Sequence, residues 1–270
     1  MKYTDLTIFT DLDGTLIDYR DGFEIGAKNL NAIRAFVEDG GRFAIATGRA
    51  PMMTELFAQK IGVNFPCIIY NGCAIVNFDT AEYVSKEYLP SGLESHITAI
   101  IEKFPWVGMV FKGDTQDADN SEEQLMFEAL IRGETMHRTD LVHLKNNCFK
   151  VIFAVPLAHH AEFADYVYSL DISGTYFLQT HEYLFEILPK DVSKGSAIEK
   201  LYNMNILVRE KTAAIGDYYN DYTMIAAAGL GACVASSPDK LKSVAKYVTC
   251  PYEQGAVADF IDMLKRDFPA

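Results

Sequence analysis

Leu6-Thr7-Ile8-Phe9-Thr10-Asp11-Leu12-Asp13-Gly14-Thr15-Leu16 is the stretch on which the reading of this 270-residue chain turns. Its first half, Leu6 to Thr10, is short and apolar, the pattern of a strand buried on both faces. Two carboxylates, Asp11 and Asp13, follow at once, and Gly14 allows a tight turn after them. In open parallel sheets, ligands gather beyond the carboxyl ends of the strands. Carboxylates two residues apart on such a turn can both face that crevice. One can attack a phosphorus while the other exchanges protons with leaving group and water. Taken alone, the same residues also spell a strand end and an Asp-Gly turn, so the rest of the chain has to decide.

Outward from this stretch, short apolar runs alternate with helical patterns. A helix is expected over Ala27 to Glu38, stopped by Gly40-Gly41, then a strand at Phe43 to Ala46, a helix from Pro51 to Ile61 and a strand at Cys67 to Tyr70. Such alternation with short connections predicts right-handed crossovers and a parallel sheet. The middle of the chain reads differently. Strand-like runs at Val107 to Lys112, Cys148 to Val155 and Thr175 to Leu188 surround helical patterns at Leu93 to Phe104 and Ala158 to Leu170, with a hairpin expected across Gln179 to Glu182. Alternation then resumes: helix Lys194 to Asn203, strand Thr212 to Ile215, helix Asn220 to Ala228, strand Ala232 to Ala235, helix Asp239 to Ala245, and a last helix through Ala256 to Leu264. The fold class is therefore α/β, with a parallel-sheet core from residues 1–82 and 187–270 interrupted by an α+β insert over 83–186.

Three further segments carry chemistry-bearing residues at expected strand ends or helix starts. Ala46-Thr47-Gly48-Arg49 offers a hydroxyl and backbone amides suited to phosphate oxygens. Ser193-Lys194-Gly195 puts a capping serine and a lysine on the first turn of a helix, where the lysine can neutralise a phosphate or a carboxylate. Gly216-Asp217-Tyr218-Tyr219-Asn220-Asp221 follows an apolar run and clusters oxygen ligands of the kind a hard cation such as magnesium prefers. Each alone is no more than a strand end, a surface lysine or an acidic turn.

Composition narrows the partners. There are 24 Lys plus Arg against 37 Asp plus Glu, a formal charge of −13. That field repels nucleic acid and anionic membranes. A phosphate site must therefore be locally positive. The five cysteines are scattered, without a Cys-x-x-Cys pair, which favours a reducing compartment. Met1 to Asp5 carries no signal-peptide pattern and no run approaches transmembrane length. The expectation is a soluble, cytoplasmic protein, and nothing sets an oligomeric state.

The four segments, in order, resemble the signature of the haloacid dehalogenase superfamily: Asp-x-Asp-Gly-Thr, then Thr, then Lys, then Gly-Asp-x-x-x-Asp. The long interval between Thr47 and Lys194 falls where one branch of that superfamily inserts a large α+β cap. Ile45-Ala46-Thr47-Gly48-Arg49, Tyr70-Asn71-Gly72 and Gly216-Asp217-x-x-Asn220-Asp221-x-x-Met224 resemble its Cof-type sugar-phosphatase subgroup. The resemblance implies a Rossmann-like core with an inserted cap that sets specificity, and a magnesium-dependent phosphatase acting on a small phosphorylated metabolite, a sugar phosphate in kind. By the same resemblance, Asp11 is the nucleophile and Asp13 the general acid and base, with a backbone carbonyl at the metal. Lys194 stabilises both nucleophile and phosphate. Leu12, Thr47 and Gly48 bind the phosphoryl group, Asn220 reaches towards it, and Arg49 and Asn71 lie on the substrate side. Asp11, Asp13 and Asp217 surround Mg²⁺, with Asp221 in support. Two segments depart from the subgroup, Cys233 to Ser237 and Glu253 to Val257, and both lie outside the four motifs.

Related enzymes with the same motifs return the phosphoryl group to sugar, so a sugar phosphomutase or phosphotransferase stays open beside the phosphatase. A phosphosugar-binding protein without turnover is disfavoured by the intact motifs. A membrane pump is excluded, because Asp13 stands where the superfamily's ATPases carry threonine. All six histidines and Trp106 fall in the insert at spacings that fit no metal site. The acidic run Gly113 to Asn120 lacks the glycine and terminal glutamate of a calcium loop. Phe177, Tyr183 and Phe185 alternate as a strand should and are expected to pack.

Overall fold

The computed structural model describes residues 3–17, 24–104, 107–113, 117–119, 147–181 and 184–267. Trp106, His137, His143, Tyr183 and most of the acidic run after Gly113 lie outside them. The chain divides into two compact units, residues 1–86 with 192–270, and residues 87–191.

The first unit is built on β1 (Thr7–Thr10), α1 (Ala27–Glu38), β2 (Arg42–Ile45), α2 (Pro51–Ile61), β3 (Cys67–Ile69), β4 (Ala74–Asn77) and β5 (Glu82–Lys86). Every residue of β1 is buried, as a central parallel strand covered on both faces requires. α1 ends at Asp39-Gly40-Gly41, where a Cβ on Gly41 would lie 2.3 Å from the Phe36 ring. α2 opens on Pro51, whose missing N–H is no loss at a first helical position, and closes on Gly62 at φ +77°.

Within the second unit follow α3 (Glu94–Lys103), β6 (Gly108–Gly113), β7 (Asp117–Asp119), β8 (Cys148–Ala154), α4 (His160–Ser169), β9 (Thr175–His181) and β10 (Leu184–Pro189). The chain then returns to the first unit with α5 (Lys194–Asn203), β11 (Thr212–Gly216), α6 (Tyr222–Ala227), β12 (Leu230–Cys233), α7 (Asp239–Lys242), β13 (Tyr247–Val248) and α8 (Ala256–Asp267).

The main sheet of the first unit runs β13-β12-β11-β1-β2, all parallel, and a bridge from Ala46 to Ile68 carries it on towards β3. From β1 the chain winds outward through β2. After the insert it comes back on the other side of β1, as β11. The boundary between β1 and β11 is therefore the point where strand order reverses, and the crevice beyond it is the natural ligand site of such a sheet. The register ends with Thr10 beside Ile215, so Asp11 stands next to Gly216 and Asp217.

Several boundaries differ from those expected. β4 and β5 extend β3 into a three-stranded antiparallel sheet, so residues 83–86 belong to the first unit and not to the insert. At the far end, β10 runs on to Pro189 within the second unit. Gln179, Thr180 and His181 are strand residues of β9, not a turn, because the pairing with β10 continues to His181. β12 begins at Leu230, since Leu230 and Gly231 already pair with Ala213 and Ala214. The helix expected from Asn220 opens with a 3₁₀ turn at Tyr219–Asp221, and α7 stops at Lys242.

In the second unit the antiparallel sheet runs β7-β6-β8-β10-β9. One face sends Val151, Phe153, Phe185 and Ile187 against Ile97, Ile100 and Phe104 around α3 and Phe163 and Val167 of α4. The alternate residues Lys150, Ile152, Leu184 and Glu186 point the other way and are buried too. Lys150 Nζ donates to Glu186 Oε1 at 2.7 Å, and Thr180 Oγ1 donates to the same oxygen at 3.1 Å.

Candidate active site

Asp11 follows β1 and its N–H continues the ladder to the Ile215 carbonyl at 2.9 Å, which fixes the residue at the end of the sheet. α5 begins one layer away. Ser193 caps it by accepting from the Ser196 N–H at 3.1 Å while the Ser196 hydroxyl accepts from the Ser193 N–H at 2.8 Å. That reciprocal cap fixes where the helix starts, and hence where Lys194 emerges. Lys194 is fully buried, donating to Asp11 Oδ1 at 2.6 Å and to Asp221 Oδ1 at 2.5 Å. α5 and α6 come close because Gly195 has no side chain; a Cβ there would lie 2.3 Å from the Thr223 carbonyl oxygen.

The turn after β11 is tied by its own acid. Asp221 Oδ2 accepts the N–H groups of Asp217 at 3.0 Å and of Tyr218 at 3.2 Å. Its other oxygen holds Lys194. Asp217 is half-buried, and its Oδ1 accepts from the Thr15 hydroxyl at 2.8 Å. Gly14 sits beneath it at φ +79°, where a Cβ would come within 2.4 Å of Asp217 Oδ2. Thr15 was quoted in the motif without a role; here it holds an acid from across the sheet. Only the partner makes that visible, because a hydroxyl after an Asp-Gly turn has no distinctive signal of its own.

Carboxylate oxygens of Asp11, Asp217 and Asp221 all lie within 4.8 Å of one another. One ammonium faces three acids. Burial, then the Asp221 charge, pushes the Asp11 carboxyl up to about 7, although Lys194 pulls the other way. Burial followed by Asp11 and Asp221 holds Asp217 well above the usual carboxylate range. Burial lowers Lys194, but its two aspartate partners outweigh that and raise it. Crowded, oxygen-only and short of positive charge, the group fits a hard divalent cation such as magnesium.

On the other side of β1, the Asp13 carboxylate is held by Arg49: Nε donates to Oδ2 at 2.8 Å and Nη2 to Oδ1 at 2.6 Å. Arg49 was expected on the substrate side; it is almost entirely buried, and its guanidinium lies 5.3 Å from the centre of the Phe57 ring. Thr47 is buried, with its hydroxyl accepting the Arg49 N–H at 3.2 Å. Gly48 faces Asn71, whose amide atoms would be 3.0 Å from a Cβ. Asn71 Oδ1 accepts from Asn220 Nδ2 at 3.1 Å, bringing two expected ligand-side amides together. The loop that carries Asn71 has three consecutive residues at positive φ: Tyr70 at 52°, Asn71 at 55° and Gly72 at 104°. Gly72 allows close approach to α5, since a Cβ would be 2.1 Å from the Ser193 carbonyl oxygen. The Leu12 side chain is buried in the core, so only its backbone can meet a ligand.

With this geometry in view, the family of haloacid dehalogenase-like hydrolases matches residues 8–261. The phosphatase YwpJ of Bacillus subtilis is 25% identical over 95% of this chain and 99% of its own length. From the same organism, the 5-amino-6-(5-phospho-D-ribitylamino)uracil phosphatase YitU is 24% identical over 97% of this chain and 98% of its own. Among solved structures, the subclass IIB sugar phosphatase BT4131 superposes with a TM-score of 0.82 at 19% identity, covering 96% of this chain and 98% of that one. At that identity the superposition shows a shared fold.

Proposed function

The chain belongs to the haloacid dehalogenase-like hydrolase family as a phosphoric monoester hydrolase, and on that premise we propose that it hydrolyses a small phosphorylated metabolite, a sugar phosphate in kind, through an aspartyl-phosphate on Asp11 with magnesium as cofactor. One observation carries the reading: a fully buried lysine joins Asp11 to Asp221 beside Asp217, at the carboxyl ends of β1 and β11.

In this reading Lys194 aims Asp11 and compensates charge on the bound phosphoryl group. Asp11 attacks phosphorus, Asp13 gives a proton to the departing oxygen, and Asp13 then takes one from the water that attacks the aspartyl-phosphate. Thr47, Gly48 and the Leu12 backbone are the phosphoryl-facing groups, with Asn71 and Asn220 beside them. Asp11, Asp217 and the Asp13 carbonyl would hold magnesium, supported by Asp221. When bound, the metal neutralises phosphoryl charge and fixes the phosphate against the nucleophile. Selection of the substrate is assigned to the inserted unit, and the protein to the cytoplasm. Four of its five cysteines are buried, and burial pushes the Cys67 thiol up to about 12. Among the described residues no helix is long and apolar enough to cross a membrane.

The test is phosphate release from a panel of sugar phosphates, nucleotides and cofactor phosphates, with and without magnesium. Magnesium-dependent release is expected, with one substrate class preferred. Isomerised sugar phosphate without release would replace the proposal with a mutase.

A further inference from the structure

The Arg49 guanidinium takes both oxygens of the Asp13 carboxylate, at 2.8 and 2.6 Å. A fork of this kind fixes direction as well as distance. Asp13 itself is loosely packed, with 44% of its side chain exposed, whereas Arg49 is 3% exposed. The arginine is therefore the fixed partner and the aspartate the adjustable one. Three further contacts anchor the arginine. Phe57 of α2 lies against its guanidinium at 5.3 Å. Its N–H donates to Thr47 Oγ1, and its carbonyl accepts the Tyr70 N–H at 3.1 Å. The turn that bears Asp13 is closed by the Gly14 N–H to the Ile17 carbonyl at 2.8 Å and tied by the Thr15 hydroxyl to Asp217.

We propose that Arg49 is a positioning residue that acts through Asp13 and is not a binding group for the substrate. It holds the ionised carboxylate that takes the proton from water. When one Asp13 oxygen instead carries the proton for the leaving group, that oxygen gives up its bond to Arg49 while the other keeps the carboxyl aimed. The proposal rests on the phosphatase reading above. It also extends to Phe57, whose ring centre lies 5.3 Å from the guanidinium carbon and would steady it by a cation–π contact.

Kinetics separate this from a substrate-binding arginine. Wild type, Arg49→Ala, Arg49→Lys, Phe57→Leu, Asp13→Asn and the double variant Arg49→Ala/Asp13→Asn would be assayed with magnesium. One substrate is an alkyl phosphate, whose leaving oxygen needs a proton. The other is p-nitrophenyl phosphate, whose leaving group needs none; for it, the first-step burst is followed. For the alkyl phosphate, Arg49→Ala should lower kcat by about 30-fold, within the range that proton transfer contributes, while KM changes by less than about threefold. The p-nitrophenol burst should keep its rate. Lysine at 49, which can make one of the two bonds, should recover part of kcat, and Phe57→Leu should show the same pattern at about threefold. On the Asp13→Asn background, Arg49→Ala should cost nothing more, because the two residues act as one unit.

A rise in KM with kcat unchanged would overturn the proposal, as would losses that multiply in the double variant. An equal slowing of the burst would overturn it too. Failure of the phosphatase reading looks different: wild type would then give neither phosphate nor burst.

Discussion

Each unit of the molecule completely buries one lysine among its described residues, and the company each keeps is different. In the second unit, Lys150 meets Glu186, and the Thr180 hydroxyl donates to the same Glu186 oxygen. In the first, Lys194 meets Asp11 and Asp221, with Asp217 alongside: one charge against three. A buried ion pair costs desolvation and returns Coulomb energy, and its net worth to stability is small so long as both partners are present. An unbalanced cluster is kept at a cost. Asp11 and Asp217 are both held above the usual carboxylate range, by burial first and then by neighbouring carboxylates.

The largest effects should come from removing the lysines. Lys194→Met should lower kcat by about 10²–10³-fold, the size seen when a preorganised charge or donor is taken from a transition state. Lys150→Met should leave phosphate release per folded molecule nearly intact and instead lower stability by about 3–5 kcal/mol, because the buried Glu186 carboxylate loses its Lys150 partner. Replacing both partners, as Lys150→Met with Glu186→Leu, should recover most of that loss. Chemical denaturation and initial rates measure the two quantities separately. A collapse of kcat in Lys150→Met at unchanged stability would erase the distinction between the two lysines.

Magnesium and pH sharpen the comparison. In the metal-free protein Asp11 and Asp217 bind protons more tightly folded than unfolded. They therefore add stability at pH below the usual carboxylate range and lose it as pH climbs to about 7 and beyond. The melting temperature without metal should fall between about pH 5 and about pH 8, and magnesium should restore it most at the upper end. A shift from magnesium that is equal at both ends would contradict the surplus-charge picture.

Smaller effects belong to two glycines of the first unit with nearly the same positive φ. Gly62 at φ +77° has open space around its missing side chain, so Gly62→Ala should cost only about 1–2 kcal/mol, for the left-handed backbone alone. Gly14 at φ +79° has Asp217 where a Cβ would go. Gly14→Ala should cost at least as much and should also weaken the magnesium-induced rise in melting temperature, which Gly62→Ala should leave unchanged.

Much of this was legible in the sequence because the chemistry sits at strand ends. Asp11, Thr47 and Asp217 each follow an apolar run, so the local pattern places them, and the serine before Lys194 announces the helix start. The parallel core and the α+β insert follow from the same alternation. What stayed hidden depends on contacts between distant segments. The fork between Arg49 and Asp13, the bond from Thr15 to Asp217 and the pairing of Asn71 with Asn220 join residues whose own neighbourhoods say nothing about each other. β4 and β5 were missed for a local reason. Both are short, and the turn that joins them, where Asn77 accepts the Asp79 N–H at 2.9 Å, lies just ahead of the domain edge expected at residue 83.

The central claim is that Asp11 becomes phosphorylated. The most direct measurement uses Asp13→Asn, which should slow hydrolysis of the intermediate. Mixed with acetyl phosphate and magnesium, it would be quenched in acid and mapped by peptide mass spectrometry, beside Asp11→Asn carrying the same second substitution. The expected result is a phosphoryl group on the peptide that contains Asp11, absent without magnesium and absent from the double variant. A phosphoryl group on another residue, or its persistence in the double variant, would contradict it.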